Sequence, residues 1–232
     1  NTAGHFLVAC NGVDPVMMYD GSDWFYVATT TTAATITDIV RTSPSSTATV
    51  TTTTAHGLST NNRVTISGAS DSSFNGSFVI TVTGSTTFTI ETSATTSVTS
   101  LTGSYTVIGI TGIDSSKFIN VNLFKNRLFF TEKDTLNCWY LPIDSIGGLA
   151  KPLYFGGIAR NAGYLQAMGT WTLDAGQGAD DYAVFVTSMG EVIVYNGTDP
   201  NDATKWALKG VWQIGQTFAR KCFFYGLAIY YC

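Results

Sequence analysis

The sequence predicts an all-β fold, namely a partial β-propeller that carries an inserted small β-sandwich of Ig-like type. Short apolar segments alternate with the period of two residues that strands require, and turns containing glycine separate them. No segment sustains the apolar period of a helix, so helix is predicted to be minor. One hairpin with a recognisable terminal motif occurs twice, which is typical of a repeat architecture.

The repeated hairpin is clearest in residues 183–206. Two strands flank a turn at Met189-Gly190-Glu191, and the second strand ends in Tyr195-Asn196-Gly197-Thr198 ahead of Trp206. Near the N-terminus, Tyr19-Asp20-Gly21-Ser22 closes a similar pair of strands and precedes Trp24. Matching turns followed by a tryptophan predict two copies of the same structural unit.

The chain is predicted to contain three parts: residues 1–27 as the first propeller hairpin, 28–108 as the inserted Thr/Ser-rich β-sandwich domain, and 109–232 as the continued propeller blades. Without the insertion, Tyr19 and Tyr195 are separated by two intervals of about 48 residues, close to the length of a four-stranded blade. About three blades fit the sequence, fewer than the four to eight that close a propeller. Because the chain also lacks an initiator methionine and stops within the apolar run Tyr230-Tyr231-Cys232, we expect a segment of a longer protein.

Within the insertion, strands recur at intervals of about 12 residues between glycine turns, which is typical of a small β-sandwich or β-barrel. The predicted strands are Thr47–Thr51, Arg63–Gly68, Ser77–Val82 and Thr86–Ile90. The flanking Thr-rich sequence is predicted to connect this domain to the propeller. The alternation favours folded structure over the disorder that low complexity would otherwise indicate.

In the C-terminal part, Phe118–Phe124 and Arg127–Thr131 are predicted to form a hairpin that turns at Lys125-Asn126. A glycine-dotted connection is predicted over residues 143–163. The further predicted strands are Thr135–Tyr140, Tyr164–Met168, Thr170–Leu173 and Lys209–Ile214.

Charge is sparse, at 12% of residues, as in proteins that remain inside a stable assembly. The net charge of −4 argues against sequence-independent nucleic-acid binding, which needs clustered cations. The longest apolar run, Cys222–Cys232, is too short for a membrane helix. The cysteines form no CxxC pair, so they are interpreted as buried thiols rather than metal ligands, and disulfides stay open. They are Cys10, Cys138, Cys222 and Cys232.

No catalytic, cofactor or metal site is predicted. His5 and His56 are the two histidines, and no nucleophile-elbow pattern accompanies them, so turn or surface positions are favoured over a catalytic base. The loop Asp174–Asp181 could gather carboxylates around calcium, but it lacks EF-hand spacing and is interpreted as a solvated turn. Asp180, Asp181 and Glu191 are candidates for glycosidase carboxylates only by their proximity in sequence.

Tryptophans recur at the predicted blade ends, which favours packing anchors over a carbohydrate-stacking surface. Basic residues lie around the predicted 125–126 turn, where they either contact DNA or a partner or, as is more usual on a hairpin edge, deter edge pairing. The two sets are Trp24, Trp139, Trp171, Trp206 and Trp212, and Lys117, Lys125, Arg127 and Lys133. The sequons Asn75-Gly76-Ser77 and Asn196-Gly197-Thr198 are interpreted as turns.

Three segments, FLVACNGVDPVMMYDGSDW, FKNRLFFTEKDTLNCWYLP and AVFVTSMGEVIVYNGTDP, resemble in that order the tail nozzle proteins of short-tailed bacteriophages, also called tail tubular protein B. The insertion, TATVTTTTAHGLSTNNRVTISGASDSSFNGSFVITVTGSTTFTI, is similar to small β-modules of phage virion proteins. The resemblance implies a structural protein of the virion tail, without enzymatic activity. It implies a propeller-containing subunit of a hexameric tube beneath the portal and adaptor, through which the genome is ejected. The chain is shorter than such proteins and lacks a recognisable platform domain.

In such a tube, we expect neutral or acidic surfaces to face DNA without specific binding, and the insertion to project outward and dock tail fibres or neighbouring subunits. Two other functions stay open. A carbohydrate-binding or depolymerising tail-spike-like propeller module predicts carboxylates beside exposed aromatic side chains in one cleft. A secreted adhesin with an Ig-like module predicts disulfides between the cysteines.

Overall fold

The structure is a computed structural model that describes residues 5–93, 96–174, 179–217, 222–225 and 228–231. Apart from two 3-10 turns, Ser72–Phe74 and Ser115–Lys117, the regular structure of the described residues is entirely strand. The predicted all-β class is therefore confirmed. The chain divides into two compact units: one combines Pro15–Ser115 with the segment ending at Val8, and the other combines Ala9–Asp14 with the chain from Ser116 onward.

The first hairpin forms a small antiparallel sheet of β1 (Leu7–Ala9), β2 (Met17–Tyr19) and β3 (Trp24–Tyr26). The Asp20 carboxylate accepts the backbone N–H groups of Ser22 and Asp23, both at 2.9 Å, and thereby holds the tight turn between β2 and β3. Met18 and Phe25 lie opposite each other in this sheet, and both are buried.

The Thr-rich region forms one eight-stranded sheet that is nearly closed into a barrel. Its strands are β4 (Ala34–Arg41), β5 (Thr47–Thr52), β6 (Arg63–Ser67), β7 (Gly76–Val79), β8 (Thr81–Val82), β9 (Thr87–Glu91), β10 (Val98–Ser100) and β11 (Ser104–Val107). Their order is β7-β6-β11-β4-β5-β9-β8, and β10 also pairs with β4. Since only Ile80 separates β7 from β8, the two ends of this order lie next to each other. The predicted domain was a small Ig-like sandwich, and the strand spacing allowed a barrel as the other form; the structure has the barrel-like form.

Three of the four predicted strands of the insertion are present as β5, β6 and β9, and the one predicted at Ser77–Val82 is divided at Ile80 into β7 and β8. Strand β4 lies in sequence that is predicted to be a connector. The pattern Ala-Thr-Ile-Thr-Asp-Ile-Val-Arg buries Ile36 and Ile39 in the barrel, so its threonines belong to a strand with one solvent-facing side. The barrel core also contains Val50, Val64, Phe74, Phe88, Ile90 and Tyr105.

The strand β12 (Ile110–Thr111) follows the barrel in the same unit. In the second unit the first sheet has the order β13-β14-β15-β17 and the second sheet the order β18-β19-β20-β21, each a four-stranded antiparallel meander. The strands of this unit are β13 (Phe118–Phe124), β14 (Arg127–Glu132), β15 (Asn137–Tyr140), β16 (Gly148–Leu149), β17 (Lys151–Tyr154), β18 (Leu165–Asp174), β19 (Ala179–Thr187), β20 (Glu191–Gly197), β21 (Trp206–Gln213), β22 (Cys222–Tyr225) and β23 (Ala228–Tyr231). The last two strands pair antiparallel with each other.

The predicted turn at Lys125-Asn126 is confirmed, because both residues have positive φ, at 46° and 59°, as a tight two-residue hairpin turn requires. The strands predicted at 164–168 and 170–173 are a single strand, β18. Strand β17 was missed, since it lies in the glycine-dotted connection and contains Pro152, a residue that sheets accept at their edges.

The two sheets of the second unit pack against each other with their first strands side by side. The backbone N–H of Met168 on β18 donates to Asn120 Oδ1 at 3.1 Å, and the Asn122 amide donates to the Met168 carbonyl at 3.3 Å. Phe129 of the first sheet and Phe185 of the second belong to one continuous buried cluster. Neighbouring blades of a propeller have this relationship.

Candidate functional site

Within the second unit, a cluster of aromatic rings joins the first sheet (β13-β14-β15-β17) to the second sheet (β18-β19-β20-β21). The Trp206 ring stacks on Tyr195 at 5.2 Å and 15°, and on Phe129 of the first sheet at 6.1 Å and 14°. Phe124 meets the same indole edge-on at 6.0 Å. Trp206 is therefore enclosed between rings of both sheets, and the motif that singled it out in the sequence marks an inter-sheet contact.

The matching pair in the first hairpin has the same distance between ring centroids, but it differs in tilt and in exposure. The Tyr19 and Trp24 rings lie 5.2 Å apart at 32°, directly opposite each other on β2 and β3. Trp24 is 45% exposed, whereas Trp206 is 8% exposed. Among the described residues, Tyr19 supplies the one aromatic ring in contact with Trp24. The hairpin thus presents to solvent the kind of aromatic pair that the second sheet buries.

The two histidines differ in burial and in their contacts. His5 is exposed, at the start of the described chain. His56 is buried, and both of its ring nitrogens are engaged: Nδ1 accepts the Leu58 N–H at 3.0 Å and Nε2 contacts the Gly84 carbonyl at 3.0 Å. A neutral imidazole with Nε2 protonated satisfies both contacts. His56 therefore braces the barrel loops, and it is a buried turn residue rather than a surface one.

The carboxylates noted in the sequence hold parts of the fold together. The Asp181 carboxylate accepts Lys125 Nζ at 2.6 Å and the Thr172 hydroxyl at 2.8 Å, and these hydrogen bonds lower the pKa of Asp181. The Glu191 carboxylate is buried and accepts the backbone N–H groups of Arg160 at 2.7 Å and Asn161 at 3.1 Å. Residues 175–178 of the calcium-loop candidate and the side chain of Asp180 lie outside the described residues.

The remaining tryptophans differ in their surroundings. Trp139 is anchored by a hydrogen bond from its indole N–H to Glu132 at 2.8 Å, and Trp171 lies 5.9 Å from the Tyr182 ring. Trp212, on β21, is 52% exposed. Packing roles thus hold for Trp139, Trp171 and Trp206, whereas Trp24 and Trp212 are surface side chains, contrary to the prediction.

Two of the predicted basic residues form ion pairs between the sheets. Lys125 in the turn of the first sheet pairs with Asp181 of β19 at 2.6 Å, and Arg127 pairs with Asp199, in the connection between β20 and β21, at 3.4 Å. Lys133 donates to the Gly12 carbonyl at 3.5 Å, and Lys117 lies in the second 3-10 turn. The four basic residues are therefore distributed over separate contacts and do not form the unpaired basic hairpin edge that the sequence suggested.

The two cysteines whose side chains the structure describes are free thiols, Cys10 and Cys138. Burial raises the pKa of Cys10 to about 12 and raises that of Cys138 as well, so both stay protonated at neutral pH. Cys232 and the Cys222 side chain lie outside the described residues. Within the described chain, no three His, Cys, Asp or Glu side chains group as metal ligands, and no helix has the length and hydrophobicity to cross a membrane.

A cleft of about 140 Å³ opens beside the Arg127–Asp199 pair. Its lining is mixed, with two cations, one carboxylate, an amide and several apolar side chains: Arg127, Tyr140, Pro142, Leu149, Lys151, Asp199 and Asn201. Lys151 stands directly opposite Tyr140 in the pairing of β17 with β15. Sequence reasoning missed this site, because its members come from four separate segments and share no motif.

No family model and no curated protein matches this chain. Among solved structures, it is similar to a phage phi92 endosialidase, with a TM-score of 0.30 and 11% sequence identity over 93% of this chain and 49% of that one. The chain therefore spans about half the length of that structure. A TM-score of this size is below that of a shared fold, so the likeness assigns no function.

Proposed function

We propose that the chain is a structural subunit of a bacteriophage virion, and within it of the tail nozzle of a short-tailed phage. The packing of two four-stranded meanders with their first strands side by side carries the proposal, because a propeller-containing subunit is what the sequence resemblance implies. The hairpins on which the resemblance rests are strand pairs of these sheets and of the β1–β3 sheet.

In this role the subunits assemble side by side, as a hexameric ring below the adaptor and portal, and DNA passes through the lumen without specific binding. Low charge supports the proposal, since 12% of residues are charged and the net charge is −4. The ion pairs of Lys125 and Arg127 support it too, because both cations already face carboxylates of the second sheet. The barrel is the part proposed to meet tail fibres or neighbouring subunits.

Electron microscopy of virions labelled with antibodies against the purified chain tests the proposal. We expect label at the tail, and we expect particles made without the protein to retain packaged DNA poorly or fail to eject it. Sedimentation of the purified full-length protein would then show ring-sized oligomers. Virions without label, together with a protein that stays monomeric at high concentration, would overturn the assignment.

A second candidate is a carbohydrate-binding or depolymerising module of tail-spike type. The cleft beside Arg127 favours it, because cations, a carboxylate and apolar side chains converge there. Incubation with bacterial capsule separates the two candidates: release of reducing sugar ends supports depolymerisation, and intact polymer with no binding leaves the structural role.

A further inference from the structure

The cations of the Arg127 cleft retain hydrogen-bonding capacity. Arg127 contacts Asp199 at 3.4 Å and the Leu141 carbonyl at 3.4 Å, two long contacts for a side chain with five N–H donors. Lys151 is solvent-exposed at the rim. Among the described residues, its ammonium group has no hydrogen bond or ion pair, so it is free to meet a ligand.

The balance of charge in the cleft favours an anion. Arg127 and Lys151 carry two positive charges against the single carboxylate of Asp199, on a chain whose net charge is −4. Burial, and then the neighbouring Asp199 carboxylate, raise the pKa of Tyr140, so the phenol stays neutral and can donate a hydrogen bond. The site thus offers donors that a carboxylate or phosphate accepts.

We propose that this cleft binds a single carboxylated sugar residue, of the uronic acid class. The carboxylate faces Arg127 and Lys151, and the sugar hydroxyls donate to Asp199 and pair with the Asn201 amide. The apolar face of the ring lies against Pro142 and Leu149.

Other ligand classes match the lining less well. A neutral sugar leaves Lys151 without a counter-charge, and a phosphate dianion is repelled by Asp199 and has no apolar face to pack against Pro142 and Leu149. The Arg127–Asp199 ion pair alone would be explained as a link between the two sheets. A purely structural ion pair gives Lys151 no role. The contribution of Lys151 to ligand binding therefore distinguishes a binding site from a structural contact.

Calorimetric titration of the intact chain with glucuronate, glucose and inorganic phosphate tests the inference. We expect glucuronate to bind and glucose not to bind. Lys151→Ala should weaken glucuronate binding at least tenfold, as expected when one charge-assisted hydrogen bond is lost. Lys209→Ala, which removes another exposed lysine, should leave the affinity unchanged. Added salt should weaken binding through screening.

Arg127→Lys provides a second variant that keeps the charge but loses the planar fork, and it should also weaken binding. Equal affinities for glucose and glucuronate, tighter binding of phosphate, an unchanged affinity in Lys151→Ala, or no detectable binding would each overturn the inference. The inference does not rest on the nozzle role. Virion labelling tests the nozzle role and sugar titration tests the cleft, so either proposal can fail while the other holds.

Discussion

The indole of Trp206 is held between Tyr195 of its own sheet, at 5.2 Å, and Phe129 of the neighbouring sheet, at 6.1 Å. A side chain in this position contributes to the pairing of two sheets as well as to one hairpin. Because the cluster around it is continuous across both sheets, removing the ring leaves a cavity that neither sheet fills alone.

Trp206→Ala is expected to lower the free energy of unfolding by about 3–5 kcal/mol, the usual range for deleting a buried aromatic side chain. The matched control is Trp24→Ala, which removes the corresponding but half-exposed indole and should cost about 1 kcal/mol or less. Urea unfolding followed by circular dichroism measures both. Equal losses in the two variants would contradict the inter-sheet role of Trp206.

Gly190 closes the β19–β20 hairpin with φ at +79°, and a Cβ there would overlap the carbonyl of Gly215. Gly190→Ala combines backbone strain with a clash against backbone that cannot rotate away, so we expect a loss of about 3 kcal/mol or more. Gly215→Ala is the control: φ is +96°, but nothing lies within 4 Å of the added Cβ, so strain of about 1 kcal/mol is expected. A smaller loss at Gly190 than at Gly215 would contradict this account.

Glu191 was a carboxylate candidate for catalysis by sequence proximity, and in the structure it holds the loop before β18 through the N–H groups of Arg160 and Asn161. Glu191→Ala leaves these donors without their acceptor and is expected to cost about 2–3 kcal/mol, whereas Glu191→Gln keeps one acceptor oxygen and should cost less. Amide hydrogen exchange at residues 160 and 161 gives the local readout. Unchanged protection in Glu191→Ala would show that the carboxylate does not hold the loop.

The sequence was sufficient where one local rule determined the structure. The Lys125-Asn126 turn could be predicted because residues that tolerate positive φ separate two strands in which apolar and polar residues alternate. The barrel strands could be predicted from the same alternation, which buries Val64 and Phe88. Strand β4 was missed because threonine serves equally in a connector and on the exposed side of a strand, and tertiary burial of Ile36 decides between them. The cleft had no sequence signal, since Arg127, Lys151 and Asp199 meet only through the packing of the sheets.

Glu91 provides a pH-dependent contribution to the stability of the barrel. Its carboxylate accepts the Ser46 hydroxyl at 2.7 Å and the Thr47 hydroxyl at 2.8 Å, and these hydrogen bonds lower the pKa of Glu91 in the folded state. A carboxyl group whose folded pKa lies below its unfolded value stabilises the protein above the unfolded pKa, and this contribution is lost as the pH falls through the folded pKa.

We therefore expect the urea midpoint to fall on acidification below about pH 4.5, and Glu91→Gln to reduce that dependence because it cannot ionise. The side chain is exposed, so the effect at neutral pH is small. Midpoints measured between pH 7 and pH 3 for both proteins provide the test. The same acid slope in Glu91→Gln would assign the dependence to other carboxylates, of which Asp181 is the first to examine, because hydrogen bonds from Lys125 and Thr172 also lower its pKa.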